Sequence, residues 1–204
     1  MATEKTQVGA VPKQKRGRER VEAILGAASE LFVAKGWEAS TMTEVAVRSG
    51  TAIASLYRFF PSKEALADAL LERWIILARA RLEQALSIPC DRDPAAAAAI
   101  LVRLGMDIQS EKRPAIALME ARDADQEMRK RFRAEIAAGI ASIVVRAVPG
   151  TSASQARLSA LLLHGFFKGM SAMLRDAPQQ KAALREMETF VLSYLQSLGS
   201  ATGA

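Results

Sequence analysis

The sequence has 204 residues, half of them hydrophobic, with one cysteine and a formal net charge of +6. This length allows a sizeable buried core, and a single cysteine excludes an internal disulfide. The longest unbroken apolar run, residues 95–102, is far shorter than the roughly 20 residues that cross a bilayer. The first residues also lack the apolar stretch of a secretory signal, so we expect a cytoplasmic protein without membrane contact.

The positive charge is concentrated near the N-terminus. Within residues 1–20, six basic residues oppose two acidic ones, which gives this segment a net charge of +4. We expect residues 1–17 to form a basic, disordered arm, because such a composition buries little apolar surface. This charge indicates either a solubilising terminus or a segment that follows a polyanion, and the next part of the chain favours the second interpretation.

Helical periodicity runs through nearly the whole chain, and no alternation of β-branched residues indicates a strand, so we predict an all-α fold. The first helix should span about residues 18–35 and end at Gly36. The residues predicted to share its buried face are Ile24, Ala28, Leu31 and Phe32. A second helix should begin at Thr41, which has the capping-box spacing to Glu44, and end near residues 49–50.

A third, very short helix should begin at Thr51 or Ala52 and end at Phe60, because Pro61 removes a donor and restricts the preceding residue. On a helical wheel, Ile53, Leu56 and Phe60 share the inward side. The residues predicted to project from the opposite side are Thr51, Ser55 and Arg58. Such a small, polar face with one cation suits the second helix of a helix-turn-helix, which reads base edges in the major groove.

Residues 20–66 resemble the N-terminal domain of the tetracycline-repressor (TetR) family of transcriptional regulators. The resemblance rests on "IL-AA-ELF---G" in the first helix, "T-T-EVA--SGT" across the second helix and the turn, and "SLYRFFPSKEAL" from the third helix into the fourth. Two residues depart from the common form "GTSIGSLY": Ala52 stands where serine is frequent and Ala54 where glycine is frequent. The operator sequence therefore cannot be transferred from relatives.

The resemblance, together with the chemistry of the side chains, implies two classes of DNA contact. Phosphate contacts are expected from hydroxyls at the start of the second helix, and from two residues that resemble the phosphate-contacting residues of the family. The candidates are Thr41, Thr43, Tyr57 and Lys63. Near-base contacts are expected from the outward face of the third helix. The candidates are Thr51, Ala52, Ser55 and Arg58, with a plain surface cation as the alternative for Arg58. Arg16 and Arg18 of the basic N-terminal segment would follow the DNA backbone or enter the minor groove.

The same resemblance implies three domains: the arm at residues 1–17, a three-helix helix-turn-helix domain at residues 18–65, and a helical bundle for ligand binding and dimerisation at residues 66–204. A long fourth helix, capped by Ser62, joins the last two. Further helix starts are predicted at Asp93, before Pro94, and by the capping-box spacing of Ser152 and Gln155.

In the TetR family the last two long helices, here about residues 154–175 and 179–198, pair with those of a second subunit. An internal core face is the alternative for each residue of these helices. The predicted dimer contacts are Leu158, Leu161, Leu162, Gly165, Gly169, Met173, Met187, Phe190, Val191, Tyr194 and Leu198. A dimer would make the operator an inverted repeat.

The family resemblance also implies an effector pocket inside helices four to eight. The candidate lining residues are Trp74, Leu77, Met106, Ile108, Met119, His164, Phe167 and Met170, and ordinary core packing is the favoured alternative for each. The single cysteine, Cys90, is either an oxidant sensor or an inert loop thiol.

Enzyme chemistry has little support in the sequence. One histidine and one cysteine supply no metal-ligand cluster, and no phosphate-binding glycine loop or nucleophile motif is present, so no metal or cofactor is expected. We predict a sequence-specific repressor, released from a palindromic DNA operator when a small molecule binds and helix four transmits the change. The alternative is a ligand-sequestering or scaffold helical protein that does not bind DNA specifically.

Overall fold

The computed structural model describes residues 15–111, 126–173 and 180–201. All regular elements within these residues are α-helices, which confirms the predicted fold class. Their bounds are α1 Lys15–Lys35, α2 Met42–Arg48, α3 Ile53–Phe59, α4 Lys63–Ser87, α5 Pro94–Glu111, α6 Gln126–Ala147, α7 Ala153–Met173 and α8 Gln180–Ala201.

The chain divides into two compact units, and the division falls inside α4, after Trp74. The N-terminal unit contains α1 to α3 and the first half of α4, whose side chains at Leu66, Leu70 and Trp74 are buried. The C-terminal unit begins at Ile75 and contains the rest of α4 together with α5 to α8.

The first helix begins earlier than its pattern indicated. Lys15 opens α1, so Arg16 and Gly17 are helical and the expectation that they belong to a disordered arm is wrong. An ion pair between Lys15 and Glu19, one helical turn apart at 3.9 Å, favours this early start. The predicted inward residues of α1 are all buried, and the helix ends before Gly36, which has a φ of +83°.

The second helix is fixed at its start by the predicted capping box. The Thr41 hydroxyl accepts the backbone N–H of Glu44 at 3.2 Å, and the Glu44 carboxylate accepts the backbone N–H of Thr41 at 3.0 Å. The helix ends at Arg48, and Gly50 with a φ of +61° turns the chain toward α3.

The C-terminal unit packs α6 against α7, and α5 against α6, α7 and α8. The predicted helix starts are confirmed: the Asp93 carboxylate accepts two backbone N–H groups at the start of α5, and Ser152 and Gln155 form the second capping box. Two close contacts between helices depend on glycines, which have no side chain. A Cβ at Gly105 would overlap the ring of Phe167, and one at Gly139 would overlap Leu82.

Candidate nucleic-acid interface

The turn between α1 and α2, residues 36–41, is held by two hydrogen bonds from Ser40 and by an aromatic contact with α1. The Ser40 hydroxyl donates to the Gly36 carbonyl at 2.7 Å, and the Ser40 N–H donates to the Trp37 carbonyl at 3.2 Å. The Trp37 ring is buried and lies 5.2 Å from the ring of Phe32 in α1, centroid to centroid. This turn therefore holds the start of α2 in a defined position on α1.

Lys63, the first residue of α4, reaches this same turn. Its ammonium donates to the carbonyl oxygens of Trp37 at 2.8 Å and Ser40 at 3.0 Å, and lies 4.3 Å from the centroid of the Trp37 ring. The family resemblance predicts a phosphate contact for Lys63. In this structure its donors are directed to the protein's own backbone.

The outward face of α3 differs from its predicted composition. Leu56 and Phe60 are buried as expected, and Arg58 and Ala54 are exposed. Thr51 was expected to project outward, but its side chain is only 6% exposed. Ser55 is half-buried and Ala52 is exposed.

The correction for Thr51 follows from where the helix begins. The first helical residue is Ile53, so Thr51 lies outside α3 and a helical wheel does not describe it. Its backbone N–H instead donates to the Ala46 carbonyl at 2.9 Å, which closes the turn after α2.

Ile53 departs from the helical-wheel prediction in the opposite direction. The wheel predicts an inward side chain, but Ile53 is 41% exposed and lies one helical turn from the exposed ring of Tyr57. Around Arg58 the accessible surface of α3 is therefore more apolar than predicted, because Ile53 is exposed and Thr51 lies in the turn.

The cations near α2 and α3 are not equally available. Arg48 is paired with Glu30 of α1 at 2.6 Å, and Lys35 is paired with Glu44. The hydrogen bond from Lys35, followed by that from the Thr41 backbone, holds the pKa of Glu44 below its usual range. Arg58 has no ion pair with any residue that the structure describes, and its guanidinium is exposed.

The remaining predicted DNA contacts divide into accessible and engaged groups. Arg16, Arg18 and Thr43 are exposed. The Thr41 hydroxyl is exposed too, but it lies 3.1 Å from the Glu44 carboxylate as well as capping α2, so its hydrogen-bonding capacity is used locally. Thr43 is thus the more accessible of the two threonines.

In the C-terminal unit, the predicted dimer stripe on α7 is exposed. Leu161 is 66% exposed, and Leu158, Leu162, Gly165 and Gly169 lie open beside it. No described atom comes within 4 Å of a Cβ built at either glycine, so the backbone of α7 can be approached closely there. The side chain of Met173 lies outside the described residues.

On α8 the dimer prediction is partly wrong. Met187 and Val191 are buried in the core of the subunit itself, together with Leu195. Part of the predicted stripe is therefore the inward side of α8, because periodicity alone does not say which face a neighbour covers. Phe190 is exposed, and its ring stacks on Phe166 at 4.9 Å.

The last two predicted members of the α8 stripe are half-buried. The Tyr194 hydroxyl lies 2.7 Å from the buried Ser159 hydroxyl of α7 and forms a hydrogen bond with it. Leu198 is half-buried near the end of the helix.

The predicted pocket residues do not form one described site. Trp74 belongs to the N-terminal unit, and Leu77 is exposed. Phe167 and Ile108 are buried, with the Phe167 ring pressed on Gly105, so core packing accounts for Phe167. The remaining residues are half-buried, or lie outside the described residues in the case of Met119. The half-buried ones are Met106, His164 and Met170.

Cys90 lies in the loop between α4 and α5. Its side chain is buried, and burial raises the pKa of the thiol, which lowers its reactivity near neutral pH. Arg146 of α6 ties this loop to the bundle by donating to the Leu86 and Ile88 carbonyls at 2.8 and 3.1 Å and pairing with Asp91 at 3.2 Å.

Sequence patterns do not predict the contacts that join α1, α2 and α4. The Arg48–Glu30 pair and the Lys63–Trp37 contacts connect residues that are distant along the chain, so no local spacing marks them. The only hint was the lysine directly after a serine helix cap, where a cation opposes the helix dipole and needs compensating partners.

Comparison with known proteins agrees with this arrangement. The family described as "Bacterial regulatory proteins, tetR family" matches residues 24–70, which contain most of α1, all of α2 and α3, and the start of α4. The Escherichia coli (strain K12) HTH-type transcriptional repressor ComR is 37% identical over 78 residues. This alignment covers 37% of the chain and 36% of ComR.

Solved structures extend the similarity across both units. Mycobacterium smegmatis AmtR is 25% identical with a TM-score of 0.57, and the match covers 94% of each chain. Salmonella enterica GusR has a TM-score of 0.64 at 19% identity, covering 92% of this chain and 98% of its own, which is a likeness of fold. Among the described residues, no helix combines the length and apolarity needed to span a membrane.

Proposed function

Because this chain belongs to the TetR family of bacterial regulatory proteins, we propose that it is a cytoplasmic, sequence-specific DNA-binding repressor. Its target is a palindromic operator, from which a small molecule releases it. In this proposal the protein acts by binding DNA and a small molecule, and not by catalysis.

The single observation that carries this proposal is the exposed face of α3. A short helix exposes Ala54, two apolar side chains and one guanidinium, and that guanidinium is not paired with any described carboxylate. A surface helix made only for stability more often carries several long charged side chains. Small side chains instead let α3 come close to the floor of a groove.

The chemistry of this face suggests which bases it reads. Arg58 can pair bidentately with the O6 and N7 atoms of guanine. Ile53 and Ala54 are exposed aliphatic side chains, a class that contacts the thymine methyl group. Thr43, Tyr57, Arg16 and Arg18 contribute phosphate contacts, which set the register of the protein on the duplex.

The C-terminal unit supplies the second half of the proposal. The exposed stripe of α7 pairs with the same stripe of a second copy, so two α3 helices face two half-sites. A small molecule binds in the C-terminal unit, and α4 transmits the change because it contributes residues to both units. The ligand must prefer the geometry that does not fit the operator.

Selection of duplexes from a random library tests this function directly. We expect the wild-type protein to enrich an inverted repeat. Arg58→Ala should weaken binding to that repeat about 10- to 100-fold, because one bidentate contact contributes roughly 1–3 kcal/mol. Arg103→Ala, which removes an exposed arginine of α5 and the same charge, is the matched control and should change little.

The selection also separates the proposal from a scaffold or ligand-sequestering role. A protein of that kind would enrich no sequence, and its binding to any duplex at low salt would respond equally to both arginine substitutions. Enrichment without an effect of Arg58→Ala would retain the regulator and remove this residue from base recognition.

A further inference from the structure

The contacts of Lys63 all lie within the N-terminal unit and all end on the turn that precedes α2. Two backbone carbonyls, those of Trp37 and Ser40, accept from the same ammonium, at 2.8 and 3.0 Å. The third contact is with the face of the Trp37 ring, 4.3 Å from its centroid. A lysine whose only role was to bind a phosphate would not need three partners within its own protein.

One of these carbonyls belongs to the peptide unit that begins α2. The Ser40 carbonyl and the Thr41 N–H are parts of the same peptide plane. Lys63 donates to the carbonyl, and the Glu44 carboxylate accepts from the N–H at 3.0 Å. Because both polar ends of this plane are held, its orientation is fixed, and so is the direction in which α2 leaves the turn.

The position of Lys63 is unfavourable unless these partners are present. The Ser62 hydroxyl accepts the Ala65 N–H at 3.1 Å, which places Lys63 in the first turn of α4. A cation in the first turn of a helix opposes the helix dipole. The two carbonyls and the indole ring, all part of the α1–α2 turn, offset this cost.

We propose that Lys63 is a positioning residue for DNA binding, which acts through the Ser40–Thr41 peptide to hold α2, and with it Thr43, in the orientation that fits the duplex. This inference rests on the proposed function. It assigns Lys63 a role inside the protein in place of the direct phosphate contact that the family resemblance implies.

The expected loss of affinity follows from the fraction of molecules in which α2 is correctly oriented. If loss of the ammonium leaves α2 correctly oriented for about a tenth of the time, the apparent affinity falls about tenfold, in proportion to that fraction. The number of phosphates contacted by the protein does not change. The slope of log K against log salt should therefore stay the same, whereas loss of one phosphate contact would reduce it by about 0.9.

The experiment compares Lys63→Met with Lys181→Met, which removes an exposed lysine from α8. Operator affinity is measured as a function of salt, on the duplex enriched by the wild-type protein. Amide hydrogen exchange at residues 36–41 is measured in the free protein. We expect Lys63→Met to weaken binding about tenfold at unchanged salt slope, with faster exchange in this turn. Lys181→Met should leave the exchange and the affinity as they are.

A double-mutant cycle with Thr43→Ala tests whether the Lys63→Met protein still binds DNA in the same way. If Lys63 only raises the fraction of molecules in which α2 is correctly oriented, the DNA-bound form is the same with and without it, so the losses from the two substitutions should add. A Thr43→Ala effect that disappears in the Lys63→Met background would overturn the inference. So would a salt slope reduced by about one contact, unchanged operator affinity or unchanged exchange at residues 36–41. If the wild-type protein enriches no duplex, the proposed function fails. The exchange measurement then still tests whether Lys63 holds the turn at residues 36–41.

Discussion

Two exposed helix faces, that of α3 in the N-terminal unit and that of α7 in the C-terminal unit, are both short of the long charged side chains usual on a surface helix. On α3 the exposed face combines small and apolar residues with Arg58. On α7 it consists of Leu158, Leu161 and Leu162 with two glycines, and the stripe contains no charged residue.

This difference separates the partners that each face can accept. A cation among small side chains suits a groove lined by phosphates and base edges. An uncharged aliphatic stripe with glycines suits a second apolar helix at close range, because large apolar surfaces gain by leaving water and glycines shorten the distance between helix axes. A glutamate introduced in each unit should therefore have a different effect: it should weaken the dimer in the C-terminal unit and DNA binding in the N-terminal unit.

A negative charge on the α7 face should have the largest effect. Leu161→Glu should raise the dimer dissociation constant more than about a hundredfold, because burying an unpaired carboxylate costs several kcal/mol. Sedimentation velocity over a range of protein concentrations measures this change.

The matched substitution on the other unit is Val47→Glu, at an α2 side chain that is 78% exposed. It should leave the dimer intact and weaken DNA binding instead, because it places a carboxylate one helical turn from Thr43. A Leu161→Glu protein that remains dimeric at the concentrations where the wild type is dimeric would remove α7 from the interface.

The close approach of α5 to the inner side of α7 can be tested through Gly105. Gly105→Ala should reduce the free energy of unfolding by about 1–3 kcal/mol, because the added methyl overlaps the Phe167 ring on the inner side of α7. Denaturant unfolding at a fixed protein concentration measures the loss.

The control for this substitution is Gly26→Ala in α1, where no described atom comes within 4 Å of the added methyl. Since alanine favours helix over glycine, this variant should gain about 0.5–1 kcal/mol. Equal changes for both variants would mean that α5 and α7 do not approach as closely as the structure places them.

The features that sequence patterns predicted correctly depend on residues close together in the chain. The two capping boxes and the end of α1 at Gly36 each involve partners within about four positions, so local spacing determines them. The resemblance to the TetR family likewise rests on contiguous motifs in residues 20–66.

The features that sequence patterns missed depend on an absolute helix start or on a distant neighbour. A start of α3 at Ile53 took Thr51 out of the helix and exposed a residue expected inside. On α8, periodicity found an apolar stripe but could not say that the subunit's own core covers Met187 and Val191. The partners of Lys63 are 23 and 26 residues away, beyond any local pattern.

The smallest effect expected here concerns the cap that holds α2, and it tests whether the N-terminal face depends on pH. Glu44→Gln keeps the capping hydrogen bonds, because glutamine also serves in a capping box, but removes the charge paired with Lys35. Since folding lowers the pKa of Glu44, its ionisation stabilises the native state above the ordinary glutamate pKa of about 4.3. That contribution is lost as the pH falls through the pKa that Glu44 has in the folded protein.

The thermal midpoint of the wild type should therefore exceed that of Glu44→Gln slightly at pH 7, and the difference between the two midpoints should close toward pH 3. Glu38→Gln, at an exposed glutamate in the same turn, controls for the loss of one surface charge. A gap that is the same at both pH values would show that the Lys35–Glu44 pair contributes nothing to holding α2, and would leave the capping hydrogen bonds and the Lys63 contacts as its support.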